Sequence, residues 1–147
     1  RYAQVDRYLK KKGNKILVFA GPEEKEIGSK LRSYVNNRNC HLIDNVKFGQ
    51  SLGILSRVNL LICNDNGFAH LANALGEKIV TLWASTNDKW SLPVNKKLVT
   101  LVRAPMFVPW YRYILKRSIP LGVRGGMDKI QVKEVITAIE RTLSSRK

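Results

Sequence analysis

Short apolar runs alternate with stretches of helical periodicity along most of this chain. The runs that predict strands are residues 16–20, 41–43, 60–63, 79–83 and 98–102. Helical patterns cover residues 23–37, 49–57 and 67–76, and a final amphipathic helix carries Val132, Val135, Ile136, Ile139 and Leu143 on one face. Strands that are apolar throughout and separated by helices usually pair in parallel and are covered on both faces. The pattern therefore predicts a three-layer α/β fold with a mostly parallel sheet.

A polar turn, Asp65-Asn66-Gly67, separates the third predicted strand from a helix. A helix N-terminus carries backbone N–H donors and about half a positive charge, so it attracts anions. Gly67 would let an anionic group approach the backbone, and His70 follows one turn later. We expect Leu71, Ala74 and Leu75 to form the buried face of this helix. The turn is interpreted as a cradle for a phosphate or diphosphate.

A purely structural interpretation of the same residues stays open. Asp and Asn are ordinary turn formers and N-caps wherever a helix begins. A single histidine near a helix start is also often packed or solvated without any function. Spacing alone does not separate these interpretations from the cradle.

Three loops are expected at one edge of the sheet, because each follows a predicted strand. They are Gly21-Pro22-Glu23, the Asp65 turn, and Ala84-Ser85-Thr86. In doubly wound sheets, ligands bind at the carboxyl ends of the strands. The three loops are therefore predicted to converge on one ligand.

Charge is the second strong feature of the chain. Lys and Arg number 26 against 11 Asp and Glu, a formal net charge of +15, and residues 89–127 contain no acidic residue. Within this region, residues 103–127 form a predicted loop that mixes Trp110 with Arg112, Lys116 and Arg117. Three interpretations remain: contact with a phosphorylated lipid acceptor or an anionic membrane, binding of nucleic acid, or a solvated basic surface.

Several motifs together resemble glycosyltransferase family 9, the lipopolysaccharide heptosyltransferase family. They are Asp-x-Gly-x-x-His-Leu-Ala over residues 65–72, Ala-Leu-Gly over 74–76, and the aromatic-x-x-Thr segment over 83–86. Residues 19–24 are similar to the family's Gly-Gly-Pro-acidic turn. Asn66 stands where the family usually has Ser or Thr. The resemblance implies the Rossmann-like, C-terminal half of a two-domain GT-B enzyme.

From the resemblance we expect the donor-binding half of an inverting transferase that moves heptose from a nucleotide diphosphate sugar, ADP-heptose, to lipopolysaccharide core. It implies Glu23 or Glu24 at the ribose, and Asp65, Asn66, Gly67, His70 and Thr86 around the donor, with His70 stabilising the leaving group. Acids also favour the first turn of a helix, so Glu23 and Glu24 keep that structural interpretation. No cofactor and no metal are expected.

The remaining expectations concern the chain as a whole. Residues 1–147 are interpreted as one domain cut from a longer protein, whose missing N-terminal half would supply the general base and acceptor surface. The fragment should bind donor without turnover. Cys40 and Cys63 lack metal-ligand spacing and are interpreted as reduced core thiols of a cytoplasmic protein. No run of 18 apolar residues occurs, so no membrane span is expected. The resemblance implies a peripheral position on the inner face of the inner membrane. The alternative function is a non-catalytic basic α/β module that binds nucleic acid or a protein.

Overall fold

The computed structural model describes residues 2–21, 24, 26–30, 39–84, 91–104 and 126–145. The helices are α1 (Tyr2–Lys11), α2 (Phe48–Leu55), α3 (Gly67–Ala74) and α4 (Val132–Ser144). The strands are β1 (Ile16–Phe19), β2 (Cys40–Ile43), β3 (Leu61–Asn64), β4 (Ile79–Trp83) and β5 (Val99–Arg103). Residues 26–30 are also helical, and single 3-10 turns cover Lys96–Leu98 and Met127–Lys129.

All described strands pair in parallel, in two sheets. β1 pairs with β2, and the second sheet has the order β3-β4-β5. The chain divides into two compact units, Arg1–Ser51 and Leu52–Lys147, with the boundary inside α2. The α/β class and the parallel pairing are thus confirmed. The assignment of residues 1–147 to one domain stays a prediction.

In the first unit, α1 ends where Gly13 adopts a left-handed backbone with φ of 78°. The N–H of Gly13 donates to Lys10 O at 2.9 Å, and the N–H of Asn14 donates to Leu9 O at 3.1 Å. This pair of bonds is the Schellman arrangement, in which glycine closes a helix and satisfies its last carbonyls. The chain then reverses and enters β1, which α1 contacts.

In the second unit, β4 lies between β3 and β5, and all five of its residues are buried. One core cluster joins α2, β3, α3 and β4 through apolar side chains. Its members are Leu55, Cys63, Ala69, Ala72 and Ile79. Helix α4 contacts β4 and β5, and the Thr142 hydroxyl lies 2.7 Å from both the Thr100 hydroxyl and the Ala138 carbonyl oxygen.

Two details of the predicted helix faces are wrong. In α3, Leu71 packs against the core as expected, but Ala74 and Leu75 are exposed. In α4, Leu143 is also exposed. The buried residues of α3 are instead Ala69, Ala72 and Asn73. Ala69 and Ala72 pack in the apolar core, and Asn73 can be buried beside them because its amide is hydrogen-bonded within the fold.

Candidate functional site

The turn between β3 and α3 is built as a capped helix start. Asn66 has an extended backbone, with φ of −157° and ψ of 174°, and its side chain accepts a hydrogen bond from the Phe68 N–H at 3.0 Å. Its carbonyl oxygen accepts from the Ala69 N–H at 3.1 Å. Asn66 is therefore an N-cap, as the structural interpretation held. An anion that used the Phe68 N–H would have to displace the Asn66 carboxamide.

The space above this helix start is open. A Cβ placed on Gly67 would meet no atom within 4 Å beyond its chain neighbours and the backbone of its own helix. Asn66, Gly67 and His70 are exposed, whereas Asp65 is half-buried. His70 follows Asn66 by four residues, which places both on the same side of the helix. The geometry would admit a group as large as a phosphate to the backbone at Gly67.

The sheet brings two of the three predicted loops to one edge. β3 and β4 are parallel neighbours in which Asn64 is paired with Leu82, so Asp65 and Ala84 leave the sheet on the same side. The Ala104 N–H donates to Trp83 O at 2.7 Å, which continues the β4–β5 pairing to this edge. The Gly21 loop lies in the other unit, so its convergence with these two remains a prediction.

Beneath the turn, Thr81 joins two neighbouring side chains. The Trp83 indole Nε1 donates to Thr81 Oγ1 at 2.9 Å, and the Thr81 side chain hydrogen-bonds to Cys63 in the adjacent strand. Thr81 is fully buried. Thr81 was not among the predicted site residues. A single hydroxyl in an otherwise apolar strand could have indicated it, because a buried hydroxyl needs a hydrogen-bond partner.

Both cysteines are buried free thiols, as expected. Burial raises the pKa of Cys63 to about 12; the Thr81 hydrogen bond opposes this rise and the charge of Asp65 adds to it. Burial also raises the pKa of Cys40 to about 11, with a smaller contribution from the charge of Asp6. Both groups are therefore protonated thiols at neutral pH and poor nucleophiles.

A second feature that the sequence did not reveal is a clamp formed by Asn73. The Asn73 Nδ2 donates to Asn95 O at 2.9 Å, and the Asn95 N–H donates to Asn73 Oδ1 at 2.9 Å. These two bonds hold the segment that leads into β5 against α3. The clamp fixes the helix whose N-terminus forms the candidate cradle. The sequence feature that could have indicated this clamp is an asparagine among small and apolar residues in the helix, because a buried amide needs hydrogen-bond partners.

Glu24 has a structural partner in the first unit. Its Oε2 accepts from the Gly21 N–H at 2.9 Å, and its own N–H donates to Gly21 O at 2.9 Å. This reciprocal pair is the backbone-and-acid part of a capping box. The interpretation of Glu24 as a first-turn acid thus has direct geometric support, while its contact with a ribose stays a prediction.

The other predicted site residues lie outside the described residues. They are Glu23, Thr86, Trp110, Arg112, Lys116 and Arg117. Among the residues that the structure does describe, no three His, Cys, Asp or Glu side chains come together as metal ligands. The same part of the chain has no helix long and apolar enough to cross a membrane.

Comparison with known proteins gives a consistent family. The model of glycosyltransferase family 9 (heptosyltransferase) matches residues 1–106. Lipopolysaccharide heptosyltransferase 2 of Salmonella typhimurium is 20% identical over 147 residues, which are 97% of this chain and 41% of that protein. The chain thus spans well under half the length of this curated relative.

Two solved structures are similar in fold. A glycosyltransferase family 9 protein of Veillonella parvula aligns with a TM-score of 0.79 and 25% identity over 97% of this chain and 40% of the other. The ADP-heptose lipopolysaccharide heptosyltransferase II of E. coli aligns with a TM-score of 0.74 and 18% identity, again over 97% of this chain and 40% of the other. Because the family match covers most of the sequence, this chain belongs to glycosyltransferase family 9.

Proposed function

We propose that this chain is the donor-binding half of an inverting glycosyltransferase. It would bind a nucleotide diphosphate sugar, ADP-heptose or a related donor, whose sugar is transferred to lipopolysaccharide core. Membership of family 9 supports this proposal, as do relatives named as lipopolysaccharide heptosyltransferases, one of which is named for ADP-heptose. The shared C-terminal GT-B architecture would place a further Rossmann-like half across a cleft from these residues.

The observation that carries the proposal is the open helix start at Asp65-Asn66-Gly67. It lies at the carboxyl edge of a parallel sheet and forms the N-terminus of α3. An added Cβ at its glycine would meet no atom within 4 Å beyond the neighbouring residues and the backbone of its own helix. Such a start favours the two negative charges of a diphosphate through its N–H groups and dipole. The Asn66 carboxamide would rotate and release the Phe68 N–H, which becomes a donor to a phosphate oxygen.

In the proposed reaction, the acceptor hydroxyl oxygen attacks the anomeric carbon from the face opposite the diphosphate. The bond between that carbon and the phosphate oxygen breaks, and its electron pair leaves with the diphosphate. The acceptor proton passes to a general base in the other half. The helix start, with His70 as a further donor, stabilises the charge that grows on the leaving oxygen, and such preorganised donors strongly accelerate a reaction.

The remaining assignments are also proposals. Glu24 would accept from the ribose hydroxyls through the carboxylate oxygen that does not hold Gly21, and Glu23 or Thr86 would complete the donor site. Trp110, Arg112, Lys116 and Arg117 would contact the phosphorylated acceptor or the membrane. The protein would act in the cytoplasm at the inner face of the inner membrane, without a cofactor or metal, and would not require nucleic acid.

The net charge of +15 favours one alternative, a basic module that binds a polyanion without catalysis. Binding of that kind weakens with salt and does not depend on single residues at the helix start. Replacement of Asp65 or His70 by alanine would leave it unchanged. The donor-site proposal requires both variants to weaken nucleotide binding.

Calorimetric titration of the 147-residue chain with ADP, UDP and GDP tests the proposal. The informative variant is Gly67→Val, and Gly53→Val is its matched control. Both glycines are exposed in helices, and at both an added Cβ would meet no atom within 4 Å beyond the neighbouring residues and the backbone of the same helix. We expect one nucleotide to bind, and Gly67→Val to weaken that binding at least tenfold while Gly53→Val does not. Equal effects of the two variants, or no binding of any nucleotide to the folded chain, would contradict the proposal.

A further inference from the structure

Exposed cations are concentrated in the second half of α1 and in the residues that follow it. Gln4, Arg7 and Lys11 are exposed, whereas Val5 is buried. Residues spaced by three and four positions lie on one side of a helix, so Arg7 and Lys11 project from the same side. Lys12 and Lys15, which follow the helix, are exposed as well. We call Arg7, Lys11, Lys12 and Lys15 the basic face.

No acid in this segment balances the basic face. Asp6 is the only carboxylate between residues 2 and 15. It forms an ion pair of 2.8 Å with Lys10, and the exposed fractions of the two side chains are 13% and 15%. Lys10 therefore neutralises the charge of Asp6, and both side chains are largely buried. Four cations within nine residues are left facing solvent.

Local hydrogen bonds fix the backbone at the end of α1. The Asn14 side chain donates to Leu9 O at 3.1 Å, beside the Schellman bonds that close the helix. The Lys12 ammonium lies 5.8 Å from the centre of the Tyr8 ring, within the range of a cation–π contact. Lysines at a helix C-terminus also stabilise the helix dipole. That effect accounts for Lys11 and Lys12 but not for Arg7 in the middle of α1.

We propose that the basic face of α1 docks onto the surface of an anionic lipid bilayer, where its cations contact headgroup phosphates. Arg7 and Lys11 on one side of α1, with Lys12 and Lys15 close after it and an amphipathic tyrosine beside Lys12, give a local cluster of exposed cations that suits an anionic surface. Lysine is depleted in the cores of protein–protein interfaces, which disfavours a protein partner. The choice of a bilayer over nucleic acid rests on the proposed function, because its acceptor is carried by a lipid.

The test is co-sedimentation of the chain with vesicles of phosphatidylcholine containing 30% phosphatidylglycerol. The informative variant is Arg7→Gln with Lys11→Gln. Its control is Lys133→Gln with Arg141→Gln, two exposed cations of α4, so that both variants have a formal net charge of +13, two below the parent charge of +15. From the usual contribution of each cation near an anionic surface, we expect the first variant to lose about 30-fold in partitioning. The control should lose much less.

Further controls distinguish binding to an anionic bilayer from binding to a single phosphate and from binding at the donor site. Vesicles of pure phosphatidylcholine should not bind, and 20 mM inorganic phosphate at constant ionic strength should not compete, because the surface and not a single phosphate is recognised. Circular dichroism confirms that α1 is retained, and Lys12→Gln with Lys15→Gln gives a second variant outside the helix. Both double variants should bind ADP as the parent chain does, so loss of vesicle binding is distinguishable from failure of the donor site.

Four outcomes would overturn the proposal. One is an equal loss in the α1 and α4 variants, which would indicate net charge alone. Another is vesicle binding that persists in both double variants of the basic face. A third is loss only when Arg112 and Lys116 are replaced, which would assign the contact to residues 103–127. The last is tighter binding to a single-stranded oligonucleotide than to vesicles, lost in the same variants of the basic face.

Discussion

Replacing Asn73 by alanine removes both hydrogen bonds of the clamp between α3 and Asn95. Each bond is 2.9 Å long, and such bonds contribute about 0.5–1.5 kcal/mol each to the free energy of unfolding. Asn95 is exposed, so water can reach its backbone groups in the variant. Alanine also forms helices better than asparagine, by up to about 0.7 kcal/mol. The two bonds together contribute about 2 kcal/mol and the helix propensity of alanine offsets about 0.7 kcal/mol, so the expected net loss is about 1.3 kcal/mol, or about 3–5 °C in Tm.

Thermal unfolding followed by circular dichroism measures this loss. Thr137→Ala is the control, because Thr137 is exposed on α4 and its replacement should change Tm little. Asn73→Asp should be at least as damaging as Asn73→Ala, since it keeps an acceptor for the Asn95 N–H but places a carboxylate oxygen near Asn95 O. A Tm of Asn73→Ala within about 1 °C of the parent would refute the reasoning that the clamp stabilises this unit.

Two further predictions concern packing and pH. Gly28→Ala should be less favourable than Gly53→Ala, because an added Cβ at Gly28 would lie 3.2 Å from the Ala20 Cβ whereas one at Gly53 has open space, and both substitutions gain the same helix propensity. Urea midpoints of the two variants compare them directly, and a higher midpoint for Gly28→Ala would contradict the packing argument. The raised pKa of Cys63 favours the protonated thiol in the fold, so its contribution to stability is present below the ordinary thiol pKa and is lost as pH rises toward about 12. Between pH 8 and 10 the parent should therefore lose about 1 kcal/mol more than Cys63→Ala in urea unfolding, and parallel losses would contradict this assignment.

Much of the fold could be predicted because its strands are short, apolar and separated by helices. β4 was predicted with its observed ends, Ile79 and Trp83, since it is the buried middle strand and apolar on both faces. The division of the strands into two sheets was not predicted. Periodicity reports the burial of each segment, but it does not report which strands are neighbours.

The details of the candidate site were less accessible to the sequence. Asn66 proved to be an N-cap whose side chain already holds the Phe68 N–H, and a cap and a phosphate cradle share the same residue types. The buried side of α3 includes Asn73, whose hydrogen-bond partner lies 22 positions away in the sequence. Local spacing cannot encode such a partner, so Leu75 was wrongly assigned to the buried face.

We propose that a nucleoside diphosphate binds at the N-terminus of α3. Backbone amide shifts of the 15N-labelled chain, followed during titration with ADP, test this binding site residue by residue. We expect the largest, saturable shifts at Gly67, Phe68 and His70, with the Phe68 amide exchanging its Asn66 acceptor for a phosphate oxygen, and little change at Gly53. Shifts confined to the basic face of α1, or none at millimolar ADP in the folded chain, would contradict it.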